Sequence, residues 1–256
     1  VMKITVLGCG TSQGVPRVGG KLNNGWGVCD PDNPKNRRRR VSIMLEQGDT
    51  RLVIDTGPDF REQCLSAGFT TLDAVLYTHD HADHTHGIDD LRAIAQNMRA
   101  EVPVYSNKHT LRILKERFGY IFAGRKHYAA ICKANEIDLK PFTIGDFDIQ
   151  AMELEHGSIY SYGYRFGNVC YCTDFNEIPK TSEQYLYDLD LWVVDCLRED
   201  PHPTHSHLEQ TLGYIEKFKP KRAILTHMTA ELDYETLKNQ LPKGVEPAYD
   251  GMVLNY

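Results

Sequence analysis

The stretch at residues 78–86, THDHADHTH, constrains this chain more than any other feature. It places His79, His81, Asp83 and His84 within six positions of one another. Imidazoles and carboxylates at that density are costly to hold together unless they share a cation, so they read as metal ligands rather than as a polar surface loop. The apolar run LDAVLY precedes them as a strand candidate. After Gly87, Ile88, Leu91, Ile94 and Ala95 recur at helical spacing, so the cluster is expected in a strand-to-helix loop. There, alternating His79 and His81 can aim at one cation while Asp83 and His84, displaced along the turn, face a second.

A coarse pass along the chain gives strands at residues 3–7, 41–45, 51–54, 74–77, 102–105, 147–154, 162–166, 169–173, 189–194, 222–225 and 252–256. Helices are expected at 59–67, 88–97, 108–118, 208–218 and 234–241. Early strands fall in hairpin-like pairs and later ones follow helices, which predicts two mixed sheets packed face to face with helices outside. A chain of 256 residues can bury a large core, and a single domain over residues 1–256 is the expected organisation. Three further residues stand where predicted strands run out and can complete a metal constellation: His156 after FDIQAMELE, Asp174 after VCYCT and His227 after AILT. Asp55, ending RLVID, has the type and placement to orient a ligand histidine through its outer ring nitrogen.

The net charge of −6 argues against an extended nucleic-acid surface built on phosphate neutralisation. No stretch reaches the length of a membrane span, and the strand-like MKITVLG carries no signal core, so the cytoplasm is the expected compartment. Seven scattered cysteines fit reduced thiols, with Cys170 and Cys172 as buried small hydrophobes. Arg37, Arg38, Arg39 and Arg40 read as a solvated, partly ion-paired loop. Tyr160, Tyr162 and Tyr164 can serve as a stacking wall or as sheet-face aromatics, and are left unassigned.

The set HxHxDH at residues 79–84, the later EHG, YCTD and LTH, with GCGTS at 8–12 and DTG at 55–57, resembles the metallo-β-lactamase superfamily of binuclear hydrolases. The resemblance implies an α/β fold, the four-layer αββα sandwich. It assigns His79, His81 and His156 to one metal and Asp83, His84 and His227 to the other, with Asp174 as the bridge. It also implies two divalent ions, zinc or manganese, with Asp83 and His205 serving catalysis. Two such ions among two carboxylates leave net positive charge that suits a small anionic phosphodiester, cleaved by a metal-bridging hydroxide. No thiol occupies a matching position, which disfavours a β-lactam.

HPTHSHLEQTL, with His202, His205 and His207 ahead of a predicted helix, resembles the phosphodiesterase branch, and within it the phosphoribosyl cyclic phosphate phosphodiesterases of phosphonate breakdown. There His205 matches a residue that contacts the substrate phosphate and assists the leaving oxygen. Those enzymes hold an extra structural zinc. Here only Cys29 remains of its cysteine pair and Ala230 replaces its histidine, so no structural zinc is expected. A tRNA 3′-processing type of ribonuclease, a glyoxalase-type thioester hydrolase and a non-catalytic nucleotide-binding relative stay open as alternatives. Oligomeric state is not encoded legibly, with a homodimer as one option.

Overall fold

The computed structural model describes all residues, Val1–Tyr256. Its two seven-stranded sheets have the same plan. In the first, β1 (Met2–Gly8), β2 (Ser42–Gln47) and β3 (Thr50–Ile54) run antiparallel, and β4 (Ala74–Leu76), β5 (Val102–Ser106) and β6 (Cys132–Glu136) continue parallel from β3. In the second, β7 (Phe142–Ile144), β8 (Phe147–His156), β9 (Ile159–Phe166) and β10 (Val169–Cys172) run antiparallel. Then β11 (Leu191–Asp195), β12 (Ala223–Thr226) and β13 (Val245–Pro247) continue parallel from β10. The last strand, β14 (Val253–Asn255), returns to the first sheet beside β1.

Alternation along the strands sorts side chains between two layers. Ile4, Val6, Leu52 and Ile54 face the second sheet in the larger hydrophobic core, whereas Leu7 and Val53 point outward. That outer face is covered by α1 (Phe60–Ala67), α3 (Leu91–Met98) and α4 (Lys108–Arg117), through Phe60, Leu91, Ile94, Leu111 and Leu114. On the far side, α7 (Leu208–Phe218) and α8 (Tyr234–Gln240) pack Phe218 and Leu237 onto the second sheet. The molecule is the expected αββα sandwich. Short helices α2 (Ala82–Thr85), α5 (Gly119–Ala123) and α6 (Lys180–Glu183) fill connections.

Some expected bounds move. The helix expected at 88–97 opens as a 3₁₀ turn, Ile88–Asp90, before α3 begins. Asp83 and His84 lie in α2 rather than in open loop, because Ala82 to Thr85 closes one helical turn directly after His81. The run of arginines divides among separate tasks. Arg38 is buried and donates to Thr229 O and Leu232 O at 2.7 and 2.5 Å. Arg39 pairs with Asp250, Arg40 pairs with Asp59, and Arg37 stacks over Trp26. Tyr162 and Tyr164 are core residues, the latter donating to Tyr77 O at 2.7 Å, while Tyr160 is half exposed.

Candidate metal centre

The histidines and aspartates meet at one end of the sandwich, where the parallel strands of both sheets terminate at their carboxyl ends, the usual place for a site in such sheets. Three of the residues that follow strands there have left-handed backbone: Asp55 after β3 (φ 63°), Asp174 after β10 (φ 54°) and His227 after β12 (φ 61°). Each such conformation costs on the order of 1 kcal/mol or more and turns the side chain off its strand direction. Gly57 and Gly87 let the ligand loop lie against the end of β3. A Cβ on Gly57 would stand 2.1 Å from Asp83 O, and one on Gly87 would stand 2.0 Å from Gly57 O.

Two tetrads result. His79, His81, His156 and Asp174 form one, Asp83, His84, Asp174 and His227 the other, with the donor atoms of each within 4.8 Å of one another and Asp174 common to both. Asp174 Oδ1 lies 3.2 Å from His84 Nε2 and 3.4 Å from His227 Nε2, while its Oδ2 lies 3.7 Å from His79 Nε2 and from His156 Nε2. All seven residues picked out from the sequence are brought together.

The outer nitrogens are already committed. His84 Nδ1 donates to Asp55 Oδ2 at 2.7 Å, and His156 Nδ1 donates to Thr204 O at 2.6 Å. Thr78 Oγ1 donates to Asp55 Oδ2 at 2.8 Å and so receives His79 Nδ1 at 2.9 Å. Asp55 therefore fixes two imidazoles, one directly and one through a hydroxyl. In the neutral form of each of the three rings, Nε2 is therefore the nitrogen whose lone pair faces the cluster. His79 Nε2 and His84 Nε2 are buried without a hydrogen-bond partner.

The charges make the same point. Asp55, Asp83, Asp174 and Asp195 are buried, and their ion-pair partners are histidines alone. Burial pushes the Asp174 carboxyl up, but His227, His84 and His205 overcome it and hold it well below the usual range. Burial likewise opposes charge on His84, yet Asp174, Asp83 and Asp55 raise its pKa well above an ordinary imidazole. His79 goes the other way, driven down by burial and by His84 beside it. A buried carboxylate set that gathers protons onto imidazoles is one that a divalent cation would satisfy, so the donors fit a pair of such ions.

His205 borders both tetrads. Its Nε2 is 3.8 Å from Asp174 Oδ2, its Nδ1 donates to Asp195 Oδ2 at 3.2 Å, and its ring stacks on His227 at 4.8 Å. Burial disfavours its cation, but Asp174 and Asp195 prevail and push the pKa up to about 9. Asp195, the last residue of β11, escaped the sequence reading. It also faces His227 Nδ1 at 3.6 Å and receives the amides of Phe175 and Ser206. The available signal was an aspartate closing the apolar run LWVV, the same pattern that marked Asp55. His202 lies beside His205, with ring centroids 5.2 Å apart, whereas His207 caps α7 without a side-chain bond. Elsewhere, Cys29 and Ala230 are neighbours, with Cys29 Sγ 3.6 Å from Ala230 O and 3.9 Å from the Arg38 guanidinium.

The model of the β-lactamase superfamily domain matches residues 50–228. A solved structure described as a new diphosphatase from the PhnP family superposes with a TM-score of 0.92 at 39% identity, covering 100% of this chain and 98% of that one. Human short-form tRNase Z shares the fold at a TM-score of 0.68 and 18% identity, covering 99% of this chain and 98% of that one. Among curated proteins, an octanoyltransferase of Porphyromonas gingivalis is 33% identical over 98% of this chain and 51% of its own length. A ribonuclease Z of Bradyrhizobium diazoefficiens is 30% identical over 52% of this chain and 46% of its own. The chain thus spans about half the length of the curated relatives it matches. With its matched segment running from β3 to the residue after His227 and enclosing both tetrads, the chain belongs to the metallo-β-lactamase superfamily.

Proposed function

We propose that the chain is a metal-dependent hydrolase of small phosphodiesters, phosphoribosyl or nucleotide-like, acting in the cytoplasm with two divalent cations, zinc or manganese. His79, His81 and His156 hold one, Asp83, His84 and His227 the other, and Asp174 serves both. Cys29 is engaged by Arg38 and backbone carbonyls, so no third ion is proposed. When bound, the pair supplies Lewis acidity toward a phosphoryl oxygen and lowers the pKa of a coordinated water. Overall, a water oxygen bonds to phosphorus, one ester P–O bond breaks, and the departing oxygen takes up a proton.

The chain's own part in this is to hold charge and move that proton. His205 carries the reading: its Nδ1 is anchored on Asp195 and its Nε2 is turned toward Asp174. An imidazolium so placed can donate from Nε2 to a basic departing alkoxide, a step that thioester hydrolysis does not need. A cation drawing charge from Asp174 leaves Asp195 as the partner that keeps His205 protonated. The 39% identity to a protein described as a diphosphatase supports phosphorus as the reacting centre.

The test compares two substrates. With His205→Ala, turnover of a 2′,3′-cyclic nucleotide, whose leaving group is an alkoxide, should fall about 10²- to 10⁴-fold. Bis(p-nitrophenyl) phosphate, whose leaving group departs without a proton, should lose far less, and metal content should stay at two ions per chain. Equal loss on both substrates would remove the leaving-group role. Faster turnover of lactoyl-glutathione than of either phosphodiester would remove the phosphodiesterase reading itself.

A further inference from the structure

Beside the tetrads lies a cleft of about 450 Å³ for which the proposed chemistry gives no use. His205 forms the wall it shares with the metal centre. The rest combines two kinds of lining. Arg17 and Arg198 supply positive charge, with Glu231 as the one acid, while Leu22 and Val28 supply apolar surface. Neither arginine has a carboxylate partner. Arg198 instead donates from Nε to Asp200 O at 3.1 Å and from a terminal nitrogen to Pro201 O at 2.9 Å, which fixes its guanidinium against the loop that carries His202 and His205. Leu22 and Val28 are 64% and 60% exposed on the facing loop.

Cation and exposed aliphatic surface in one small cleft match a ligand with an anionic group and a flat apolar body. Given the phosphodiesterase reading above, on which this inference rests, the cleft opens at His205 beside Asp174, so one half of a substrate held at the tetrads extends into it. We propose that it is a leaving-group subsite selecting a departing half that is itself a nucleoside phosphate, with its phosphate on Arg17 and Arg198 and its base or sugar against Leu22 and Val28. The substrate class narrows accordingly, to diesters or diphosphates in which both halves of the broken bond are phosphorylated or nucleotide-like. For a diphosphate, water adds to one phosphorus, the bridging P–O bond on that side breaks, and a nucleoside monophosphate departs with the bridging oxygen.

The experiment uses the manganese-loaded protein and two substrates that differ in the departing half: di(adenosine-5′) diphosphate, which releases AMP, and bis(p-nitrophenyl) phosphate, which releases p-nitrophenolate and so carries no phosphate on its departing half. Arg17→Ala and Arg198→Ala should each lower kcat/KM for the first by tenfold or more and for the second by less than twofold. Arg17 is exposed, so Arg17→Glu supplies a reversal of charge with no burden on folding and should act more strongly still. Calorimetry should show AMP binding tenfold more weakly to both alanine variants, and Leu22→Asp weakening AMP more than inorganic phosphate. If wild type hydrolyses both substrates and the arginine variants lose both equally or neither, the subsite is overturned while the phosphodiesterase reading stands. If wild type hydrolyses neither substrate but binds AMP in an arginine-dependent way, the phosphodiesterase reading falls and the cleft's nucleotide preference stands. Absence of arginine-dependent AMP binding overturns the subsite in either case.

Discussion

Asp55 makes no proposed metal bond and yet sets the direction of two proposed ligands. It receives His84 Nδ1 and, through Thr78, aligns His79, one histidine from each tetrad. Asp55→Asn keeps the volume but replaces an acceptor with a donor or a neutral oxygen, so both rings lose the bond that fixes their tautomer. Metal affinity should fall about 10- to 100-fold, read by titration against a chromophoric chelator, with far-ultraviolet circular dichroism unchanged. An unchanged affinity would mean that the rings are held by packing alone. His79, His81, Asp83 and His84 could be read directly because they are adjacent in the chain. His156, Asp174 and His227 could be read only as a set, from their places at strand ends. Asp195 carried the same strand-end mark as Asp55, but its role depends on His205 being folded back over the end of β11 ten positions later, which no local pattern announces. The positive φ values at Asp55, Asp174 and His227 are likewise set by the fold, and no local composition announces them.

Helix α8 shows how one side chain ties an element to the body of the protein. Its N-cap, Asp233, accepts from Thr236 N at 2.9 Å, from Asp30 N at 3.2 Å and from Asn36 Nδ2 at 2.7 Å, joining the helix to the loop before β2. Partial burial would raise its pKa, but these donors prevail and bring it to about 2, below the ordinary 3.8. A depressed carboxylate pKa contributes stability that is complete above the unfolded value and lost as pH falls through the folded one. Asp233→Ala should therefore cost about 1 kcal/mol at neutral pH, and the gap between variant and wild type in urea unfolding should narrow from pH 4 toward pH 2. A gap of constant size at pH 7 and pH 3 would show that the charge is not what matters. Elements of this kind were legible where a cap or a clear alternation marked them, as at α1, α7, α8 and β8. Three strands were missed for physical reasons. β6 is CKANE, an edge strand with one fully buried residue in five, and β7 and β13 are three-residue edge pieces too short to display a period.

The two sheets repeat one plan, and the repetition reaches single atoms without showing as a sequence repeat. Ser42 on β2 donates to Ile54 O and Asp55 O at the end of β3, each at 2.9 Å. Ser161 on β9 bonds Thr173 O and Asp174 O at the end of β10 at 3.1 and 2.7 Å. Asp55 and Asp174 are thus counterparts, each at the step where its sheet changes from antiparallel to parallel, one orienting ligands and the other shared between the tetrads. The sequence pattern supported two mixed sheets but not this correspondence, because burial needs only apolar residues of suitable size on each strand and leaves their identities free to diverge. It follows that the candidate metal centre is a seam. The first tetrad draws His79 and His81 from the first sheet and His156 and Asp174 from the second, and the other joins Asp83 and His84 to Asp174 and His227. Cations bound there join the two halves in the native state only, so occupancy adds to global stability by mass action, about 2.7 kcal/mol for each site, or about 5.4 kcal/mol for two, when free metal is a hundredfold above its dissociation constant. For a chain of this length each kcal/mol moves the midpoint by roughly 2–4 °C. Stripping both ions with a chelator should therefore lower Tm by about 10–20 °C, restored by manganese or zinc. Asp174→Asn, which weakens both tetrads at once, should melt at one temperature with or without chelator. A wild-type Tm indifferent to chelation in protein shown to have lost its ions would mean that the halves are held by the apolar core alone.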